Sequence, residues 1–153
     1  KINKNYKEMN NKKIFNFIDL KYHKDKRGIL LPVEDRRSKN NPLPIDFKRI
    51  FVLEGLNPKE TRGNHALKKT TQILIALMGK CDIVVDDGVT KKTIKLDKIN
   101  KGIIIYPMVW RVLKNFSKDA VILVIADSYF LEKDYIRNYE DFIQQIRKGI
   151  SKK

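Results

Sequence analysis

The chain of 153 residues is poor in the residues that carry most covalent and metal chemistry. Cys81 is its only cysteine, which excludes an internal disulfide and a cysteine-based zinc cluster. Cys81 sits in the apolar segment 72–85, where a small buried filler is the expected role. There are two histidines, His23 and His65, so imidazole acid/base chemistry has few candidates. No apolar run reaches the ~18 residues that a membrane-spanning helix needs. The opening residues, Lys1 to Asn11, lack the apolar centre of a secretory signal. A cytoplasmic protein is therefore expected. Acidic residues are also short in supply, 18 against 33 Lys and Arg, for a formal net charge of +15.

Such a balance invites a nucleic-acid reading. Much of the excess, however, lies at the two ends, in Lys1, Lys4, Lys7, Lys12 and Lys13 and in Arg147, Lys148, Lys152 and Lys153. Aromatic residues are not interleaved with the basic ones as single-strand binders require. Neither nucleic acid nor membrane is expected as a partner. A positive field would still draw in an anionic small molecule.

What the sequence does contain is a run of short β-type segments. Residues 1–11 are expected to be a flexible leader, and residues 12–150 a single domain. Strands are expected over 13–20, 28–33, 47–53, 72–78, 82–85, 91–96, 102–106, 110–116 and 120–127, with a polar, proline-punctuated loop from Glu34 to Pro44. Asp87-Gly88 between two strands is a hairpin signal. Many short strands at this spacing indicate a β-sandwich or barrel. From Glu132 the apolar residues Tyr135, Ile136, Tyr139, Phe142, Ile143, Ile146 and Ile150 form a helical stripe, so a terminal amphipathic helix should pack on the sheet.

The segment with the most chemical content is Arg62-Gly63-Asn64-His65-Ala66-Leu67-Lys68-Lys69. A glycine between a guanidinium and an imidazole would let backbone and cation approach an anion closely. A surface loop with a solvated histidine would read the same way. Gly63-x-His65-x-Leu67, then Gln72 and Gly79, has the spacing of the first cupin motif. Gly102, Pro107, Arg111 and Asn115 echo the second. In metal-binding cupins four ligands occupy slots that here hold His65, Leu67, Gln72 and Arg111. An imidazole, a hydrocarbon, an amide and a cation do not make a divalent-metal site, so a cupin with this sequence is expected to be metal-free and without a cofactor.

Over nearly the whole chain, from about Phe15 to Ile146, the sequence resembles the dTDP-4-keto-6-deoxyglucose 3,4-ketoisomerases, metal-free cupins related to the dTDP-sugar 3,5-epimerases. The resemblance is carried by Asp25-x-Arg27-Gly28, Lys48-Arg49-Ile50, Arg62-Gly63-x-His65-Ala66-x-Lys68-Lys69, Asp86-Asp87-Gly88, Pro107-x-Val109-Trp110 and Asp134-Tyr135-Ile136-Arg137-x-Tyr139. It implies a mainly β jelly-roll with a C-terminal helix. It also implies a reaction that moves the carbonyl of a dTDP-4-keto-6-deoxyhexose from C4 to C3 through an enediol. By the same resemblance His65 is the base, with Arg111 and Tyr106 in slots suited to enediolate stabilisation and proton relay. Arg27 and Arg62 match elements that would hold the pyrophosphate, with Arg49, Lys68, Gln72 and Trp110 as further substrate-binding candidates. A homodimer is implied, with the strand near Ile14–Leu20 as the segment to exchange. Two positions depart from the family: Leu67 stands where its second histidine stands, and Arg111 where a histidine tends to follow the tryptophan. Epimerisation beside the ketone, or a catalytically silent cupin that binds a sugar nucleotide, are the alternatives these departures leave open. Strand alternation should point Leu67 into the same cavity as His65.

Overall fold

The computed structural model describes residues 13–151, so the leader expected over 1–11 lies outside the described residues. Two five-stranded antiparallel sheets face each other. The first has the order β1 (Phe15–Asp19), β9 (Lys101–Ile105), β6 (Gln72–Met78), β11 (Val121–Ala126), β4 (Arg49–Leu53). The second runs β12 (Tyr135–Ile136), β5 (Arg62–Leu67), β10 (Trp110–Lys114), β7 (Cys81–Asp86), β8 (Lys91–Leu96). A small hairpin, β2 (His23–Asp25) with β3 (Gly28–Leu30), stands apart from both. The helix α1, Tyr139–Ser151, follows a single 3-10 turn, Glu132–Asp134. This is the expected jelly-roll sandwich with a terminal helix.

Side-chain alternation divides the interior into three packed regions. Leu74, Ala76, Ile103, Ile105, Ile122 and Val124 of the first sheet meet Cys81, Ile83, Val85, Leu96 and Leu113 of the second between the layers. The other face of the first sheet is also covered. Ile73, Ile75, Ile104 and Ile125 pack under Leu20, Leu43 and Ile45 from the 20–47 segment. Burial on both faces explains why β6 reads as a continuous apolar run rather than an alternating one. The third region lies outside the second sheet, where Ala66, Trp110 and Ile136 are covered by Phe142 of α1. The edge strand β8 places Lys91, Lys92 and Lys95 in solvent, the usual protection against edge-to-edge pairing.

One expectation needs correction. Tyr135 and Ile136 belong to no helix: they form the two-residue strand β12, paired with β5 in the register Tyr135↔Leu67 and Ile136↔Ala66. The apolar spacing continues smoothly into α1, which is why a helical period absorbed them. Asp134 fixes the change. Its carboxylate accepts hydrogen bonds from the Lys69 backbone N–H (2.8 Å) and the Thr70 hydroxyl (2.5 Å), and its carbonyl accepts one from the Lys68 N–H (2.9 Å). Backbone satisfied in this way docks as a strand before the helix starts.

Candidate functional site

The site is built where β5 crosses from β10 to β12. Ala66 points outward beneath the helix, so its neighbours His65 and Leu67 point inward, between the sheets. His65 lies directly opposite Arg111 in the β5–β10 ladder, and opposed residues share a face. The register shifts there: Val112 faces Gly63 and Arg111 faces His65, leaving Asn64 as the extra residue of a bulge. Gly63 and Asn64 take left-handed backbone, with φ of 85° and 52°. A Cβ on Gly63 would stand 2.8 Å from the Arg111 carbonyl oxygen. The close approach of β10 therefore requires glycine at this position.

Three of the four cupin metal slots come together. The Arg111 guanidinium donates from Nη1 to Gln72 Oε1 at 3.2 Å, joining the two sheets, while His65 stands across from it. Arg111 is 1% exposed, and its Nε and Nη2 have no partner among the described residues. Burial pulls its pKa down to about 10, so it is still a cation at neutral pH. His65 places Nδ1 2.8 Å from the Gly63 carbonyl, while its buried Nε2 has no partner among the described residues. Burial, reinforced by the Arg111 charge, pulls the imidazole down to about 4, so it is neutral and able to accept a proton. Leu67 fills the fourth slot and is fully buried. A guanidinium in a slot where a metal ligand would stand repels a divalent cation. Among the described residues no three His, Cys, Asp or Glu side chains form a metal-binding group.

The mouth of this interior is aromatic and cationic. The rings of Tyr135 and His65 lie 4.9 Å apart, tilted at 57°. Arg49 donates from Nη2 to the Tyr135 hydroxyl at 3.3 Å, and its guanidinium lies over Phe51 (5.2 Å) and Phe130 (5.5 Å). Its Nε is buried without a partner among the described residues. Arg49, Phe51 and Leu53 alternate with the exposed Ile50 and Val52, which is how β4 sends the guanidinium inward. Arg62, exposed, shares the register with Leu113 one bulge away from His65.

The remaining expected residues are not brought to this cluster. Tyr106 lies on the outer face of the first sheet, packed with Ile104 and Ile73, and its hydroxyl accepts a hydrogen bond from Asn16 Nδ2 at 2.9 Å. There it borders a 470 Å³ cavity with Arg36, Lys48, Thr71 and Asp127, which none of His65, Gln72 and Arg111 lines. Odd and even residues of β9 separate it from the interior, since Ile103 and Ile105 face inward. Trp110 faces outward in β10, edge-on to Tyr139 and against Phe142, so it is part of the helix-docking core. Lys68 turns its ammonium to the Lys133 carbonyl at 2.8 Å. Arg27 is exposed on the β2–β3 hairpin and paired with Asp25 at 2.5 Å. Conversely, Tyr135 was assigned to helix packing. Its signal was the change of period at Asp134-Tyr135-Ile136, too short to register against the helical stripe.

Fold and interior together define a jelly-roll cupin whose inner slots carry an imidazole, an amide and a guanidinium. Comparison with known proteins gives the family. The family described as FdtA, WxcM-like, C-terminal, matches residues 12–147. The chain is 38% identical over 124 residues to the TDP-4-oxo-6-deoxy-alpha-D-glucose-3,4-oxoisomerase of Aneurinibacillus thermoaerophilus, covering 81% of this chain and 86% of that protein. The crystal structure of QdtA, a sugar 3,4-ketoisomerase from Thermoanaerobacterium thermosaccharolyticum in complex with TDP, superposes with a TM-score of 0.83 at 35% identity, covering 89% of this chain and 96% of that one. A histidine-to-asparagine mutant of QdtA in complex with TDP-4-keto-6-deoxyglucose matches with the same score and identity, over 88% and 95%. This chain belongs to the FdtA, WxcM-like C-terminal family.

Proposed function

We propose that this protein is a nucleotide-sugar 3,4-ketoisomerase that moves the carbonyl of a dTDP-4-keto-6-deoxyhexose from C4 to C3. The observation that carries the reading is the pairing of two unsatisfied groups across one β-ladder. His65 Nε2 is buried with no partner among the described residues, and the register sets it opposite Arg111, whose Nε and Nη2 are equally unpartnered there. Buried polar atoms cost free energy when unmatched, and a site that retains them is shaped for a ligand that matches them. Family membership and relatives solved with TDP and with a TDP-keto-sugar support the substrate class.

The chemistry follows from these groups. A neutral imidazole removes the proton from C3, and the charge that moves onto the C4 oxygen meets a fixed guanidinium in a water-poor interior. Arg111 is well suited to this, since it is charged before substrate arrives and is held by Gln72. Return of a proton to C4 completes the isomerisation. Arg62, exposed beside the bulge, is our candidate for the pyrophosphate, and the net charge of +15 favours capture of an anionic substrate. A homodimer accords with β1, an edge strand whose register with β9 a second copy could supply.

Leu67, apolar and fully buried, favours one alternative: a cupin that binds the sugar nucleotide without converting it. Incubation with dTDP-4-keto-6-deoxyglucose in deuterated buffer, followed by NMR of the sugar, separates the readings. A 3-keto product supports the isomerase. Deuterium beside an unmoved C4 ketone means exchange or epimerase chemistry, and an unchanged sugar in a sample that binds it means a binder.

A further inference from the structure

Besides the carbon-to-carbon transfer, the isomerisation needs one proton delivered to the C4 oxygen and one removed from the C3 hydroxyl, and this interior holds one imidazole. The other histidine, His23, lies on the exposed β2–β3 hairpin. Tyr106 faces the opposite side of the first sheet. A second proton carrier must therefore come from elsewhere in the cluster.

We propose that Tyr135 is that carrier, standing in for the imidazole that Leu67 does not provide. The inference rests on the ketoisomerase reading and deepens it. Four observations bear on it. Tyr135 is the β12 residue opposite Leu67, so both side chains share the inward face, while Ile136 turns outward under Phe142. Its ring lies 4.9 Å from that of His65. Its hydroxyl oxygen accepts a hydrogen bond from Arg49, which leaves the hydroxyl proton free to be given to a ligand. Two cations frame it, since Arg49 meets the oxygen and the Arg137 guanidinium lies 4.5 Å from the ring centroid. Negative charge left on the oxygen by a donated proton would face Arg49 directly.

The steps balance with these two groups alone. His65 takes the proton from C3 as Tyr135 gives its hydroxyl proton to the C4 oxygen, which forms the C3–C4 double bond of a neutral enediol. The tyrosinate then takes the proton from the C3 hydroxyl as the imidazolium protonates C4. The C3 carbonyl forms, and both side chains return to their starting states. Because one imidazole carries the carbon-bound proton, it leaves and returns on one face of the sugar.

The test measures kcat and KM for wild type, Tyr135→Phe and Tyr135→Phe/Leu67→His on dTDP-4-keto-6-deoxyglucose, with a TDP-binding titration of each. Tyr135→Phe should lower kcat by about 10²–10⁴-fold while KM stays within about threefold. Adding Leu67→His should recover at least about tenfold of the loss, because an imidazole then replaces the hydrocarbon in the fourth slot. Should Tyr135→Phe not fold, Arg49→Met removes the cation at the hydroxyl and should lower kcat by about 10²-fold. The inference is overturned if wild type converts the sugar and the tested variant keeps kcat within about threefold, or if the loss shows no rescue by Leu67→His. If wild type binds the sugar and converts none of it, the ketoisomerase reading fails and takes this inference with it.

Discussion

Acidification should weaken this protein through one imidazole. Burial, with the Arg111 charge behind it, takes His65 from an ordinary pKa of 6.5 to about 4. The unfolded chain binds a proton at this position below about pH 6.5, and the folded chain only below about pH 4. Between those values the unfolded state holds the extra proton, so stability is present above the window and is lost as pH falls through it. At about 1.4 kcal/mol per pH unit, the full loss below pH 4 is about 3 kcal/mol, and about 2 kcal/mol is gone by pH 5. His65→Asn cannot take up a proton, so its stability should lack this component. Urea denaturation of both chains at pH 7.5 and pH 5.0 provides the comparison, and carboxylate contributions common to both cancel in the difference. The wild-type midpoint should fall by about 1 M more than that of His65→Asn, for a slope near 2 kcal/mol/M. Equal midpoint changes in the two chains, or a His65 imidazole signal that titrates above pH 6 in the folded protein, would refute the reasoning.

The other predictions test separate parts of the structure. Gly63→Ala must hold a positive φ and drive a Cβ against the Arg111 carbonyl, so it should cost about 2–3 kcal/mol in denaturation and lower kcat as Arg111 moves. Arg111→Met removes a buried cation that has no ion pair among the described residues. It should leave stability unchanged or raise it by about 1–4 kcal/mol in a thermal melt while abolishing turnover. Phe142→Ala empties a fully buried position between α1 and Trp110 and should cost about 3–5 kcal/mol by urea titration.

The sandwich was legible because its strands alternate or run apolar over five or more residues, and turn residues mark their ends. The inward pointing of Leu67 beside His65 followed from strand alternation once the resemblance implied a strand at 62–67, a segment whose own pattern reads equally as a loop. Residue spacing could not say which sheet face Tyr106 occupies, because the 20–47 segment covers the outer face of β6 and makes both faces look buried. Trp110 presents a related ambiguity. A large aromatic beside Arg111 suits either a ligand or a helix, and only the docking of α1 decides between them. The surroundings of Arg49 were hidden because its contacts with Phe130 and Tyr135 join segments about 80 residues apart in the chain.

The two-residue strand β12 also sets limits on how this chain can change in length. Tyr135 and Ile136 face opposite sides of the sheet, one into the interior and the other beneath α1. A single residue inserted between the anchored Asp134 and Tyr135 would exchange them, setting an aliphatic group beside His65 and a phenol in the dry seam under Phe142. Substitutions in this stretch can be tried one at a time by drift, but a one-codon insertion there changes both compartments at once. Length variation among relatives should therefore collect in the polar loop 34–44 and be absent from the 134–135 junction.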